Sequence, residues 1–202
     1  MLELETPHGP ARAHLVPVES PVGALVLGHG SGGGVESADL VGAARAGSAA
    51  GLSVALVEQP YRVAGRRSAP PASQLDTAWT SVVAPLCEGP LGSLPLVTGG
   101  RSAGARVACR TAAETGSVAV ICLAFPLHPP GRPEKSRLEE LDAVTVPTLV
   151  VQGENDPFGV PPDGSHRTVV RITGTHSLRS SGAVEAVISG WLPTAGAWPR
   201  RP

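Results

Sequence analysis

Leu94-Pro95-Leu96-Val97-Thr98-Gly99-Gly100-Arg101-Ser102-Ala103-Gly104-Ala105-Arg106-Val107-Ala108-Cys109 is the stretch whose reading decides the fold. Its first part, Leu94 to Thr98, is short and apolar and follows Gly89-Pro90-Leu91-Gly92, the pattern of a buried strand. From Ala103 to Ala113 the chain is rich in Ala, with Val107 four residues after Ala103, which predicts a helix packed on a sheet. Between them stands a Gly-x-Ser-x-Gly centred on Ser102. A strand that turns directly into a helix forces the central residue into a strained backbone and thrusts its side chain outward. The residues two before and two after must then be nearly bare, and Gly100 and Gly104 are. In a chain with 25 glycines the pentapeptide alone says little; its strand-before, helix-after setting gives it weight.

Outward from this stretch, composition bounds the rest. At 202 residues the chain is one domain over 1–192 with a Pro/Gly-rich, frayed tail over 193–202. Hydrophobic residues make up 42% and charged residues 16%, which is globular rather than disordered. A net charge of -1 gives no reason to propose nucleic acid as a partner. No apolar run is long enough for a membrane span, and the acidic start Met1-Leu-Glu-Leu-Glu5 lacks the order of a signal peptide. Cys87, Cys109 and Cys122 sit in apolar segments without Cys-x-x-Cys spacing, so buried free thiols in a reducing cytoplasm are expected. No histidine–carboxylate spacing suggests a metal, and no organic cofactor is implied.

Taken in order, strands are predicted at 1–5, 11–18, 22–27, 52–57, 94–98, 117–124, 145–152 and 167–172. Helices are predicted at about 37–50, 73–87, 103–113 and 182–192, with a short charged turn of helix at 134–141. Strands alternating with helices imply a mostly parallel, doubly wound sheet covered on both faces. Ligands gather outside the carboxyl ends of such strands. Ser102, Asp156 and His176 all lie just beyond strand ends, as do His29 and Ser31, whereas Asp142 and His166 precede strands and fall on the opposite edge.

A serine hydroxyl becomes a useful nucleophile when an imidazole takes its proton, and the imidazole needs a carboxylate to fix its tautomer. His176 is the expected base and Asp156 the orienting acid, with Glu154 in reserve. Backbone donors for an oxyanion are expected at Ala103 and in the Gly-rich loop at Gly30 or Ser31. Loss of one such donor typically costs about 10²–10³ in rate.

The order Ser102…Asp156…His176, with this turn and the His29-Gly30 loop, resembles the α/β-hydrolase superfamily. More narrowly it is similar to a small capless branch related to dienelactone hydrolases, which includes a testis-expressed animal protein and a subunit of a histone-acetyltransferase complex. Pro60-Tyr61-Arg62, Phe125 to Gly131 and Asp156-Pro157-Phe158 fit, over about Val22 to Leu192. The resemblance implies an eight-stranded sheet and a serine-hydrolase site acting on a small-molecule ester or thioester. Two departures stand out. Only Pro157 to His166 separates the acid from the last strand, and Ala103 replaces a larger residue, which should widen the pocket.

Plainer roles compete at each position. Ser102 could cap a helix, His176 could be a solvated loop histidine, and Asp156 could form a turn before Pro157. His29 is expected to shape its loop by hydrogen bonding. Tyr61 and Arg62 could bind substrate, or Arg62 could pair with a nearby acid while Arg66 and Arg67 are solvated. Phe125 and His128 could line the acyl pocket or belong to a Pro-rich loop packed over the helices. Two other functions remain open. One is a non-catalytic interaction module on the same scaffold. The other is a dinucleotide-binding oxidoreductase using Gly28-x-Gly30-x-x-Gly33, with Glu58 on the ribose.

Overall fold

A computed structural model describes residues 1–196. Strands β1 (Leu2–Leu4) and β2 (Ala11–Val16) open the chain, and β3 (Gly23–Gly28) leads to helix α1 (Ala38–Ala49). Next come β4 (Leu52–Glu58), the short α2 (Pro60–Val63) and α3 (Ala72–Glu88). The central unit is β5 (Leu96–Arg101) and α4 (Ala103–Thr111), followed by β6 (Ala119–Leu123) and α5 (Leu138–Asp142). The last elements are β7 (Thr148–Gly153), β8 (Arg167–Ile172) and α6 (Ser181–Trp191).

All eight strands form one sheet in the order β1-β2-β4-β3-β5-β6-β7-β8. β1 and β2 run antiparallel to their neighbours, and every pairing from β4 to β8 is parallel. The parallel strands β3, β5, β6 and β7 are apolar almost throughout because helices cover both of their faces. One face packs Leu25, Leu27, Ile121 and Leu149 against Leu40 of α1 and Val184 and Ile188 of α6. The other packs Val26, Val57 and Leu96 against Trp79 and Val83 of α3, and Val120 and Val150 against Ala105 and Ala108 of α4.

Three differences from expectation have local causes. β5 starts at Leu96, because Pro95 has no N–H to give the ladder, and continues to Arg101, because Gly99 and Gly100 pair with β3 and β6 on both sides. The missed α2 is a single turn with Pro60 as its first residue, where the absent N–H costs nothing. Cys109 and Cys122 are buried, but Cys87, near the end of α3, is only partly so. The tail predicted from Pro193 begins with a 3-10 turn at Leu192–Thr194; its remainder, with Trp198, lies outside the described residues.

Candidate active site

Ser102 is the residue between β5 and α4, with φ 53° and ψ -107°, a strained backbone for a residue with a side chain. Such a conformation costs of order 1–3 kcal/mol and persists only where the surroundings enforce it. Here the Ser102 N–H donates to Leu123 O at 2.9 Å, tying the turn to β6. A Cβ on Gly100 would stand 2.5 Å from Gly28 O, and one on Gly104 would stand 2.8 Å from His29 O, so the first turn of α4 lies hard against β3. Ala103 opens α4, and its N–H is among those that a helix leaves without a partner of its own.

His176, in the loop between β8 and α6, places Nε2 2.9 Å from Ser102 Oγ and Nδ1 2.9 Å from Asp156 Oδ2. This geometry suits the tautomer that carries its proton on Nδ1, donating to the carboxylate and accepting from the serine hydroxyl. The Asp156 side chain is fully buried, and its oxygens are satisfied: Phe158 N–H donates to Oδ1 at 2.8 Å and Gln152 Nε2 donates to Oδ2 at 2.7 Å. The ring of Phe158 lies over that of His176, with centroids 4.2 Å apart. Glu154 is exposed. Gln152 carries no signal in the sequence, because nothing local marks a glutamine near a strand end as a carboxylate donor.

The Gly-rich loop after β3 lies beside the nucleophile: a Cβ on Gly30 would stand 3.4 Å from Ser102 Cβ. Buried His29 shapes this loop. Its Nδ1 donates to Gly30 O at 2.8 Å, and its Nε2 accepts the Gln59 N–H at 3.0 Å, so the ring is neutral with its proton on Nδ1. Burial is the main cause that lowers its pKa, opposed by the bond to Gly30.

Several expected contacts take other forms. Tyr61 is buried, and its hydroxyl donates to Ser31 O at 3.1 Å, so it holds the loop from behind and offers little surface to a substrate. Desolvation pushes the pKa of this phenol up. Among the described residues Arg62 pairs with no acid; its Nη1 donates to Arg66 O at 3.3 Å, while Arg66 and Arg67 are exposed. Phe125 is 0% exposed within the cluster under α4 and α5, so it is core and not pocket wall. His128 sits against Gly159 of the acid loop, with Nδ1 2.9 Å from Pro129 O, and does not join Ser102. Behind Ala103 there is no widened pocket, only a void of about 10 Å³ between Gly28, Trp79 and Val107, room for one water-sized group. An open groove of about 310 Å³ lies beside the Gly-rich loop, lined by Gly32, Gly33, Ser37, Arg101, Ser177 and Arg179.

The dinucleotide reading fails on geometry. Gly28 is packed by α4 and Trp79, and α1, the helix that should follow the fingerprint directly, starts only at Ala38, so its N-terminus does not open at the glycines. Glu58 Oε2 is engaged by His14 Nε2 at 3.0 Å. Among the described residues no cluster of three or more His, Cys, Asp or Glu could hold a metal ion, and no helix is long and apolar enough to cross a membrane.

A strained serine between a parallel strand and a helix, at the carboxyl edge of this sheet, defines the class. Residues 21–180 match a family model described as an alpha/beta hydrolase domain, and the chain belongs to that family. A lidless α/β serine hydrolase from Xanthomonas campestris superposes with a TM-score of 0.77 at 20% identity, covering 100% of this chain and 95% of its own. Dienelactone hydrolase from Anabaena variabilis gives 0.76 at 22% identity, covering 96% of this chain and 95% of its own. Est1E from Butyrivibrio proteoclasticus gives 0.75 at 17% identity, covering 96% and 98%. No curated protein matches the chain. The fold is thus that of an α/β hydrolase, shared with a lidless serine hydrolase and a dienelactone hydrolase, and the chain is a member of the alpha/beta hydrolase domain family.

Proposed function

We propose that the protein is a serine hydrolase that cleaves a small-molecule carboxylic ester, with thioesters as second substrates, through an acyl-enzyme on Ser102. The observation that carries this reading is the chain of contacts from Asp156 through His176 to Ser102, 2.9 Å at each link. As Ser102 Oγ attacks the carbonyl carbon, His176 Nε2 takes its proton, and buried Asp156 steadies the imidazolium. The oxyanion of the tetrahedral intermediate is met by the N–H of Ala103 and by N–H groups of the Gly30–Ser31 loop. Collapse breaks the ester bond, and the leaving alcohol (or thiol) takes the proton from His176. Water, deprotonated by the same ring, then attacks the acyl carbon, and the acid leaves as Ser102 regains its proton. No metal or organic cofactor enters this sequence. The open groove beside the loop suits short or extended substrates better than buried lipid chains, and the thiols of Cys87, Cys109 and Cys122 suit a reducing cytoplasm.

The test is labelling by a fluorophosphonate probe beside turnover of nitrophenyl esters of graded chain length. Wild type should be labelled at Ser102 and turn over short esters fastest, and Ser102→Ala should do neither. A wild type that takes no label and cleaves no ester would leave the interaction-module reading in its place. Efficient turnover confined to long acyl chains would refute the open-groove substrate class alone.

A further inference from the structure

The reading of Ser102 as nucleophile leaves unexplained the residue before it, where the Gly-x-Ser-x-Gly pattern accepts any side chain. We propose that Arg101 is a positioning residue that holds the oxyanion loop and the base loop in register around Ser102; this rests on the function proposed above.

The guanidinium meets three separate pieces of chain. Its Nε lies 2.8 Å from Oδ2 of Asp39, which stands in the first turn of α1, just past the Gly-rich loop. Its Nη2 donates to the main-chain carbonyl of His176 at 3.2 Å. Its Nη1 packs on Gly30 so closely that a Cβ there would stand 2.8 Å away. Asp39 is itself fixed: its side chain is 2% exposed, and Oδ1 accepts the Leu40 N–H at 2.9 Å. The Arg101 side chain is 16% exposed, so little of it is left for a substrate.

Each contact bears on a group that the reaction needs in place. The carbonyl bond anchors the base through its own backbone, whereas the Asp156 bond anchors only the ring. The contact with Gly30 backs the segment offered as second oxyanion donor. The ion pair ties both to the start of α1. Arginine is required because a planar fork can reach three directions at once; a lysine ammonium could keep the Asp39 pair but not the rest. Misplacement of reacting groups by about 1 Å can cost about 10²-fold in rate.

The experiment compares full-length wild type, Arg101→Lys and the double variant Arg101→Gln/Asp39→Asn, which removes the buried charge together with its partner. Turnover of a short nitrophenyl ester, thermal unfolding and amide hydrogen exchange are measured on each. Arg101→Lys should unfold close to wild type with kcat about 10²-fold lower and KM within about threefold. Exchange should quicken in segments 29–33 and 174–178 and stay unchanged in the acid loop at 153–159. The double variant should also unfold close to wild type while its kcat stays low. Wild-type kcat and exchange in Arg101→Lys, or a wild-type kcat in the double variant, would overturn the assignment. Should wild type itself take no fluorophosphonate label, the hydrolase reading fails, and the exchange pattern alone still decides whether Arg101 holds the two loops.

Discussion

Two loops flank Ser102, and they are built on opposite principles. The acid loop, after β7, is closed by dense hydrogen bonding. Gln152 Nε2 donates to Phe125 O, Asp156 Oδ2 and Gly159 O, and the Gly159 N–H returns to Asp156 O. The Gly-rich loop after β3, proposed above as the oxyanion loop, is held at a few points: His29 to Gly30, Tyr61 to Ser31, and the Gly33 N–H to Gly30 O at 3.3 Å. Ser31 and Gly32 are exposed, whereas Asp156 is buried. A charged group that never leaves its place can be sealed from water once its lone pairs are satisfied. In the proposed reaction, the donors of the Gly-rich loop meet an oxygen that arrives with the substrate and have to face the solvent, so their loop is braced from behind. Substitutions in the first loop should therefore cost both folding and rate, and those in the second should cost rate nearly alone.

The largest break in this contrast is Asp156→Asn, which keeps the shape of the acid loop while removing the charge that selects the His176 tautomer. kcat should fall by about 10⁴-fold with KM nearly unchanged. Steady-state kinetics on a short ester check this, and a fall below tenfold would break the comparison. Next is Gln152→Met, which removes one donor each from Asp156 Oδ2, the buried Phe125 carbonyl and the part-buried Gly159 carbonyl. A loss of about 1–3 kcal/mol in unfolding free energy is expected, read by denaturant titration, together with a lower kcat. Smaller again is Tyr61→Phe, which removes only the hydroxyl on Ser31 O. A fall in kcat of about 2- to 10-fold with a loss of no more than about 1.5 kcal/mol of stability is expected. An unfolding loss like that of Gln152→Met, with kcat intact, would contradict the proposed division of labour.

The same contrast explains what the sequence could disclose. β8 falls at Arg167–Ile172 as expected, because a run bounded by polar turns fixes a strand locally. The turn at Ser102 is legible because Gly100 and Gly104 are demanded by close backbone approach, which few other residues permit. The positions of His176 and Asp156 follow from one rule about strand ends. Arg101 and Asp39 obey no such rule, because they act across long stretches of chain; Gln152 reaches Asp156 only four residues on, but no spacing or composition marks a glutamine as that partner. Phe125 stays open between two readings in the sequence for a related reason. An aromatic after a buried strand fits both a pocket wall and a core, and only the packing of α4 and α5 decides.

The smallest expected effect separates the two loops by pH. His29 must stay neutral, because a protonated ring has no lone pair for the Gln59 N–H. Burial holds its pKa below the ordinary 6.5 in the folded protein. Between the two values the unfolded chain binds the proton more readily, so stability rises with pH there. The contribution of the neutral ring is complete above about pH 6.5 and is lost as pH falls towards the folded value. Denaturant midpoints for wild type and His29→Gln, followed from about pH 7.5 to pH 5, isolate this ring from the titrations common to both proteins. The wild-type advantage should shrink on acidification, and the N–H groups of Gly30 to Gly32 should exchange faster than those of the acid loop over the same range. An advantage that grows as pH falls would mean that the ring takes up its proton on folding, and the brace behind the oxyanion loop would then be a cationic one.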